Sequence, residues 1–392
     1  MIFMDCYAAV ITGKGTGAIS TVQVYGENSE SVIRRIFIPA SQKQLRFDVD
    51  EILLGSIYDG SKKIDQVTIG CEGPSTFAIH CHGNPLIVEM IVQLLQRHGV
   101  QILTDEQLQM KILSAQEQTS TISLEANIVQ AKAKTLEGTK IVLNQVNFGL
   151  SKVVRQWLRD IDKISLNVIQ KQTCEILRNS SIAKLIIFGC KTILTGPPNT
   201  GKSTLLNCLA GRQKSIVTDI SGTTRDWVTA QCQIESMSLE LIDTAGLDEN
   251  LSAVSDSIDN AAQKKTLELI AQADLILLVL DSSKDNELDY GIFKDVPNKK
   301  IITVLNKSDL PAKFNTHKLP EFLTNIVRIS AKNQTGIDNL ISSIRQTCGV
   351  VNFDPRTPIS FTDRQKSLLE ELNLTKSKQH AQRIITEYLK IF

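Results

Sequence analysis

The chain has 392 residues, of which 42% are hydrophobic and 22% are charged, and its formal net charge is +1. This length predicts two or three domains, and the composition excludes a disordered chain. A net charge so close to zero gives no overall attraction to nucleic acid, so an RNA contact would require a local basic patch.

The eight cysteines are scattered along the chain and form no CxxC pair. This distribution is typical of reduced thiols in a cytoplasmic protein and argues against a disulfide framework or a zinc site. No apolar run approaches the roughly 20 residues that cross a bilayer, and the N-terminus from Met1 to Asp5 has no basic leader region. We therefore expect a cytoplasmic protein without a membrane partner.

Residues 1–117 have the pattern of a small α/β domain. Strands are predicted at Thr21–Tyr25, at Ile52–Tyr58 before a turn, and at Phe77–Gly83. Apolar residues then repeat at helical spacing between Pro85 and His98.

Two histidines lie two residues apart in one of these strands. His80 and His82 therefore share one face of the strand. That geometry suits a metal ion, but a metal site needs a third or fourth ligand, and the nearby sequence offers none. We expect a structural or small-ligand role for the pair.

Residues 118–188 are predicted to be helical. One apolar stripe steps by threes and fours through Leu143, Val146, Leu150, Val154, Trp157, Ile161, Ile164 and Val168. This spacing predicts a single long helix whose apolar face packs in a core or on another helix. A coiled coil is the alternative, although the run is short for one.

Residues 189–348 alternate apolar strands with helices. The predicted strands are Thr192–Thr195, Leu239–Asp243, Leu275–Asp281, Ile301–Asn306 and Ile326–Ser330. The alternation is typical of an α/β domain with a mostly parallel sheet covered by helices on both faces. Ligands of such sheets bind at the carboxyl ends of the strands.

Residues 349–392 begin with the linker Asp354–Pro358 and continue as one helical segment to Phe392. Thr362 and Gln365 have the spacing of a capping box at its start. A mild basic bias comes from Lys376, Lys378, Arg383 and Lys390. We interpret it as a solvated helix face, with an RNA contact as the alternative.

The segment from Gly196 to Ser203 has the phosphate-binding pattern GxxxxGKS directly after a predicted strand. The glycines let the loop curl around phosphates, and the helix that follows points its N-terminus at the same anion. The pattern makes Lys202 a catalytic residue at the outer phosphates and the Ser203 hydroxyl a Mg²⁺ ligand. The other predicted nucleotide contacts of this loop are Asn199, Thr200, Gly201 and Thr204.

Three further motifs follow at strand ends and together specify a guanine nucleotide. Asp243-Thr244-Ala245-Gly246 places a carboxylate where it can hold Mg²⁺, usually through water, and a Gly246 N–H that can sense a γ-phosphate. Asn306-Lys307-Ser308-Asp309 brings Asp309 to the base, where its two oxygens match the two N–H donors of guanine, a pair that adenine lacks. Ser330-Ala331-Lys332 closes the base pocket.

These motifs, in this order, resemble the TRAFAC GTPases. The string from Ile216 to Asp226, IVTDISGTTRD, resembles the MnmE (TrmE) tRNA-modification GTPases in particular. His80-Cys81-His82-Gly83 is similar to an HCHG segment of that family, and Leu150-Ser151 with Trp157-Leu158 is similar to its central long helix. The resemblance is strong over about 190–348 and weak but collinear elsewhere.

The resemblance implies a catalytic K⁺. In the family, an Asn of the P-loop and a segment called the K-loop bind this ion. The matching residues here are Asn199 in the P-loop and Thr218, Ile220 and Thr223 in the K-loop. Thr224 matches the switch Thr on Mg²⁺. The loop as a whole would contact the nucleotide, which adds Asp219, Ser221 and Gly222 to the predicted binding residues.

The resemblance also implies a water-positioning carboxylate beyond Asp243, in a segment where this sequence departs from the family wording. Counting back from Ala273-Asp274 places Asp259 at that position, whereas counting forward from Asp243 places Ser255 there. Asp259 is the better chemical candidate, with a side chain one methylene shorter than the family's Glu.

The family architecture implies four segments. These are an N-terminal folate-binding-like and dimerisation domain at 1–117, a helical domain at 118–188 and 349–392, and a G domain at 189–348 inserted between its halves. The implied cofactors and partners are Mg²⁺, K⁺, formyl-tetrahydrofolate, a second copy of the chain, the FAD protein MnmG and tRNA. The sequence around Leu103–Glu106 does not match the family's PGEF segment, and no CxGK precedes Phe392.

The leading hypothesis is thus a K⁺- and Mg²⁺-dependent GTPase that resembles MnmE and acts in wobble-uridine modification. Two alternatives remain at this point. One is a divergent GTP-switched scaffold without tRNA-modifying activity, favoured by the missing CxGK. The other is a ribosome-assembly GTPase like Era or Der, although no second G domain and no GxxG after Lys332 is present.

Overall fold

The computed structural model describes residues 5–13, 17–41, 46–49, 51–73, 75–116, 120–211, 228–243, 269–285 and 299–389. The chain divides into two compact units, residues 1–119 and residues 120–390. Helices and strands are numbered below in chain order within the described ranges. None of the helices in these ranges has the length and hydrophobicity needed to cross a membrane.

The first unit is an α/β domain built on one sheet. Its strands β1–β7 are Tyr7–Val10, Ile19–Tyr25, Phe37–Pro39, Ile52–Asp59, Lys62–Gly73, Thr76–His82 and Gln101–Ile102. Its helices α1–α3 are Ser29–Ile36, Pro85–Arg97 and Asp105–Gln116. The strand order is β3-β4-β5-β6-β2-β1-β7, and every pairing is antiparallel except that of β1 with β7.

Both faces of this sheet are covered near β1. Ala8 points into the core that contains residues of α1 and α2, whereas its neighbour Ala9 packs with Leu108 and Ile112 of α3. Successive strand residues point to opposite faces, so one short strand contributes to both cores. The three predicted strands and the helix α2 are confirmed, but the sequence analysis missed α1 and α3.

The second unit combines a six-stranded sheet with two groups of helices. Strands β8–β13 are Cys190–Thr195, Val228–Ile234, Met237–Asp243, Leu275–Asp281, Lys300–Asn306 and Ile326–Arg328. Helices α4–α11 are Thr121–Gln130, Leu136–Asn147, Leu150–Asp160, Leu166–Ile187, Lys202–Gly211, Ile337–Cys348, Asp363–Leu374 and Lys378–Tyr388. The short 3-10 segments Thr316–Lys318 and Glu321–Leu323 lie between β12 and β13.

The sheet of the second unit is mostly parallel, as predicted. Its order is β13-β12-β11-β8-β10-β9, and only the β9–β10 pair is antiparallel among the described strands. Every residue of β11 is buried, with Leu277 and Ile276 in separate cores on the two faces. The carboxyl ends of the parallel strands β8, β10, β11 and β12 therefore meet at one edge of the sheet, as expected for this architecture.

The single long helix predicted from Leu143 to Val168 is wrong. The chain instead forms α5, α6 and α7, with breaks at Phe148–Gly149 and at Ile161–Ser165. The first break has a local cause, because the Gln145 side chain folds over Gly149 and its Oε1 accepts the Leu150 N–H at 2.9 Å. A Cβ on Gly149 would lie 2.1 Å from the same Oε1.

The last helical segment is also divided, into α10 and α11. Thr362 accepts the Gln365 N–H at 3.2 Å, but the Gln365 side chain accepts from Phe361 N rather than Thr362 N, so only half of the predicted capping box forms. The buried Glu125 of α4 instead receives Gln365 Nε2 at 2.7 Å and a two-pronged ion pair from Arg364 at 2.7 and 2.8 Å. This network joins the helices that precede the six-stranded sheet to those that follow it, so the sheet is inserted in the chain between two parts of one helical assembly.

Candidate nucleotide-binding site

The phosphate-binding pattern lies in the loop between β8 and α8. Gly196 has φ 138°, and a Cβ there would lie 2.2 Å from the Val279 carbonyl oxygen. Gly201 has φ 93°, and a Cβ there would lie 2.4 Å from Asn306 Nδ2. Both glycines are therefore required by backbone conformation and by the close approach of a neighbouring strand.

Lys202 is buried and holds its charge within this loop. Its Nζ donates to the carbonyl oxygens of Gly196 at 2.7 Å and Pro197 at 3.0 Å. The Thr200 hydroxyl donates to the same Pro197 carbonyl at 2.9 Å. The loop thus curls around a lysine ammonium at the N-terminus of α8, which is the combination that binds a phosphate anion.

Ser203 and Asp243 form an oxygen pair beside the loop. The Ser203 hydroxyl donates to Asp243 Oδ2 at 2.6 Å, and Asp243 is buried at the carboxyl end of β10. Hydroxyl and carboxylate oxygens are the hard ligands that Mg²⁺ prefers. The two residues therefore fit a magnesium ion that also contacts nucleotide phosphates.

Asn306 joins the phosphate loop to the predicted base pocket. Its Nδ2 donates to the Thr200 carbonyl oxygen at 2.8 Å, and its Oδ1 accepts the Ala331 N–H at 2.9 Å. The residue is buried at the end of β12. One amide thereby fixes the distance between the loop that would hold phosphates and the segment Ser330–Lys332 that would close on the base.

Asp281 is a site residue that the sequence analysis missed. Its Oδ2 pairs with Lys307 Nζ at 2.7 Å, and its Oδ1 accepts the Ser283 N–H at 3.0 Å and the Ser283 hydroxyl at 2.7 Å. Lys307 also donates to the Asn199 carbonyl oxygen at 2.7 Å. The signal was available in the sequence, because Asp281 ends a predicted apolar strand as Asp243 does.

Electrostatics favour the ionised form of both carboxylates near the base pocket. For Asp281, burial acts to raise the pKa, but the hydrogen bonds from Lys307 and Ser283 outweigh it and lower the pKa below its usual value. For Asp309, the hydrogen bond with the Ser330 side chain, its own backbone N–H and the charges of Lys332 and Lys307 lower the pKa. Asp309 is therefore an anionic double acceptor at neutral pH, exposed to solvent where a base can reach it.

The remaining predicted site residues are placed as follows. Asn199 is exposed in the loop with φ 61°, and Thr204 is exposed in the first turn of α8. The segment from Thr218 to Thr224 lies outside the described residues, as do Thr244–Gly246 and Asp259. The structure brings together the phosphate loop, Asp243, the Asn306–Asp309 motif and Ser330–Lys332.

The histidines of the first unit have protein partners. His80 Nδ1 is 2.9 Å from the Thr21 hydroxyl, and His82 Nδ1 is 2.7 Å from Oδ1 of the buried Asp65. Within the described ranges, no group of three or more His, Cys, Asp or Glu side chains has the arrangement of a metal site. Each histidine therefore contacts a residue of a neighbouring strand in the same sheet.

Two family models match the chain. One is described as GTP-binding protein TrmE N-terminus and matches residues 6–105. The other is described as 50S ribosome-binding GTPase and matches residues 191–307. The first covers most of the N-terminal unit, and the second covers the phosphate loop through Lys307.

Relatives of similar length match almost the whole chain. The tRNA modification GTPase MnmE of Clostridioides difficile is 30% identical, over 88% of this chain and 82% of that protein. The MnmE of Lachnoclostridium phytofermentans is 29% identical, over 93% of this chain and 87% of that protein. Among solved structures, Era in complex with MgGDPNP and 16S ribosomal RNA is 30% identical over 40% of this chain and 56% of that chain. Its TM-score is 0.32, so it carries no weight in assigning the family. From the first of these matches and the site geometry together, the chain belongs to the MnmE family of tRNA modification GTPases and is a GTP-binding hydrolase.

Proposed function

We propose that the chain couples K⁺- and Mg²⁺-dependent hydrolysis of GTP to the modification of tRNA. The chain matches more than four-fifths of the length of two relatives that are named tRNA modification GTPases. This similarity supports a role in tRNA modification. The proposal of GTP hydrolysis rests on one observation. The Asn306 side chain is hydrogen-bonded to the backbone of both Thr200 and Ala331, so it connects a phosphate loop to a base pocket.

In the reaction, water attacks the γ-phosphorus of GTP and the bond to the β–γ bridging oxygen breaks, giving GDP and phosphate. Negative charge builds on the oxygens between the β- and γ-phosphates in the transition state, and fixed positive charge nearby lowers the barrier. Lys202 supplies that charge from within the loop. Ser203 and Asp243 would hold Mg²⁺, which neutralises phosphate charge when bound.

Guanine selection is assigned to Asp309. Its two carboxylate oxygens accept the N–H donors at the Watson–Crick edge of guanine, and its low pKa keeps both as acceptors. Lys307, fixed between Asp281 and Asn199, would lie along the base. Ser330 orients Asp309, and Ala331 and Lys332 complete the pocket.

The K⁺ site and the water-positioning residue are assigned from the family pattern. Asn199 would contribute to the K⁺ site with Thr218, Ile220 and Thr223, and Thr224 would join Ser203 on Mg²⁺. Asp259 would orient the attacking water. A K⁺ held by these residues would supply positive charge near the nucleotide phosphates, a role that an arginine has in other GTPases.

The K⁺ assignment is tested by phosphate release from GTP in KCl and in NaCl at equal ionic strength, with Asn199→Ala as the matched variant. Wild type should be faster in KCl by at least about tenfold, a barrier difference of roughly 1.4 kcal/mol. The variant should lose this difference while still binding GDP. Equal wild-type rates in the two salts would overturn the assignment but leave GTP hydrolysis intact.

We further propose that the first unit forms a homodimer through one sheet face. Ile38 of β3 and Ile52 and Leu54 of β4 are 56%, 69% and 51% exposed, and β4 pairs with β3 at the sheet edge. Adjacent exposed apolar side chains favour an interface with another protein surface. Leu54→Glu should convert a dimer to a monomer in sedimentation, and a monomeric wild type would refute the proposal.

The remaining family expectations are proposals of the same kind. They comprise the domain limits 1–117, 118–188, 189–348 and 349–392, a cytoplasmic location, MnmG as partner and formyl-tetrahydrofolate as a ligand of the first unit. Calorimetric titration of the full chain with the folate tests the last of these, and absence of heat at millimolar ligand would remove it.

A further inference from the structure

Helix α6 carries three cations on one side. Lys152, Arg155 and Arg159 are spaced by three and four residues, which brings them to the same side of the helix, and all three are exposed. Helix α11 packs against α6. A groove of about 400 Å³ lies there, lined by the three cations together with Asn147, Leu158 and Leu389.

Among the described residues, no carboxylate pairs with the positive charge of this groove. No carboxylate lines the groove, and within the described part of the chain none of its three cations has a hydrogen bond or an ion pair with a carboxylate. Arginines elsewhere differ, since Arg97 and Arg345 each lie 2.7 Å from a carboxylate oxygen. Unpaired cations grouped on one surface favour an anionic partner.

The charges lie close enough to act together. Seven residues of an α-helix span about 10 Å, which is about one Debye length at 0.1 M salt. Lys378 adds a further charge just beyond the C-terminal end of α6, where its Nζ donates to the Asp162 carbonyl oxygen at 3.1 Å. The whole chain has a net charge of only +1, so this concentration is local.

The shape and chemistry fit a phosphodiester backbone. Arginine forks bind phosphate oxygens in pairs, and a row of cations along a helix matches a polymer with repeated charges. The partly buried Leu158 and Leu389 give the groove an apolar floor, and the Asn147 amide offers a donor and an acceptor for sugar hydroxyls. A single small anion would use only part of this arrangement.

We propose that the groove formed by Lys152, Arg155 and Arg159 beside α11 binds the phosphate backbone of the RNA substrate. This inference rests on the proposed tRNA function and adds the surface that docks it. Contacts of this kind position the RNA without reading its sequence. They lie outside the nucleotide site, so their loss should leave GTP hydrolysis unchanged.

The test uses the full chain and a labelled, unmodified tRNA transcript, with affinity measured by fluorescence anisotropy between 50 and 200 mM KCl. The variant carries Lys152→Gln, Arg155→Gln and Arg159→Gln. Glutamine retains helix propensity, and the side chains are exposed, so the fold should be kept. A charge-matched control replaces three other exposed cations of the same unit with glutamine: Lys171, Arg178 and Lys376.

The groove variant should bind at least about 20-fold more weakly at 100 mM KCl, and its salt slope should fall by about two to three units, since each lost phosphate contact removes roughly one. The control should match wild type, and all three proteins should hydrolyse GTP equally. If the groove variant and the control bind tRNA equally weakly, the proposed groove site is refuted, because tRNA binding then depends on the total charge of the chain.

Other outcomes separate this inference from the proposed function. If wild type binds tRNA and the groove variant binds it equally, the groove is refuted and the tRNA function stands. If the variant binds tRNA normally but loses self-association in sedimentation, the groove is a protein contact and the inference fails. If wild type binds no tRNA at 50 mM KCl, both fail together, while GTP hydrolysis is unaffected.

Discussion

Asp281→Asn tests how far a carboxylate behind the base pocket controls nucleotide binding. The substitution keeps the side-chain volume and an acceptor for Ser283 but removes the charge that pairs with Lys307 at 2.7 Å. Removing one partner of a fully buried ion pair costs about 3–5 kcal/mol, and an exposed pair contributes about 0.2–1 kcal/mol. The Asp281 side chain is 3% exposed and that of Lys307 is 32% exposed, so the pair lies between these limits. We expect a loss of about 1–3 kcal/mol in the free energy of unfolding.

The same substitution should weaken guanine nucleotide binding. Lys307 donates to the Asn199 carbonyl as well as to Asp281, so loss of the pair loosens both the base-side lysine and the phosphate loop. If half of the destabilisation, about 0.5–1.5 kcal/mol, reappears in binding, the Kd for a fluorescent GDP analogue should rise by roughly two- to twelvefold, since about 1.4 kcal/mol corresponds to a factor of ten. Asp162→Asn, at an exposed position of the same unit, is the matched control.

The stability difference between wild type and Asp281→Asn should also depend on pH. Because the folded-state pKa of Asp281 is lowered, its stabilisation is fully present above the unfolded pKa of about 3.9 and is lost as the pH falls through the folded value. Urea midpoints of the two proteins should therefore differ by a constant amount from pH 5 to pH 8 and converge below about pH 4. A variant that matches wild type in both midpoint and GDP affinity at pH 7 would refute the reasoning.

Three further substitutions test separate parts of the structure. Gly201→Ala places a Cβ 2.4 Å from Asn306 Nδ2 at φ 93°, so GDP affinity should fall by at least about tenfold, and an unchanged titration would contradict the loop geometry. Ser203→Ala removes the hydroxyl partner of the magnesium site, so added Mg²⁺ should tighten GDP binding much less than in wild type; equal Mg²⁺ dependence would contradict that role. Glu125→Gln leaves Arg364 without its carboxylate, and this pair is partly buried like that of Asp281 and Lys307, so urea unfolding should report a loss of about 1–3 kcal/mol with GTP hydrolysis unchanged; a loss below about 0.5 kcal/mol would contradict the contribution of the pair.

The sequence identifies the motifs of the candidate nucleotide site because each motif is a short local string. The pattern from Gly196 to Ser203 depends on backbone conformations that only glycine adopts easily, so the letters and the geometry correspond. Asp243 and Asn306 were identifiable because each ends a buried strand, and parallel strands bring their carboxyl ends to one edge. Asp281 has the same position on β11 but belongs to no familiar string, and its role depends on a side chain 26 positions later, Lys307.

The helical domain was predicted less well because hydrophobic spacing does not show the side-chain contact that ends α5 and starts α6. Periodicity alone continues through Gly149, and nothing in the local sequence announces that Gln145 caps the next helix. Gln145 also accepts the Ile359 N–H at 3.1 Å, a contact across the inserted G domain. The groove beside α6 could not be predicted for a similar reason, because Leu389, which lines it, is more than 200 residues away in the sequence.

Nucleotide specificity tests the central claim most directly. Initial rates of phosphate release should be measured for the purified chain with GTP, ATP and XTP, and then for Asp309→Asn with the same nucleotides. Wild type should hydrolyse GTP and leave ATP and XTP almost unchanged. The variant should lose activity on GTP and gain activity on XTP, because the asparagine amide can donate to the second carbonyl of xanthine and a carboxylate cannot. Hydrolysis of ATP by wild type at the rate of GTP, or an Asp309→Asn variant with unchanged preference, would contradict the account.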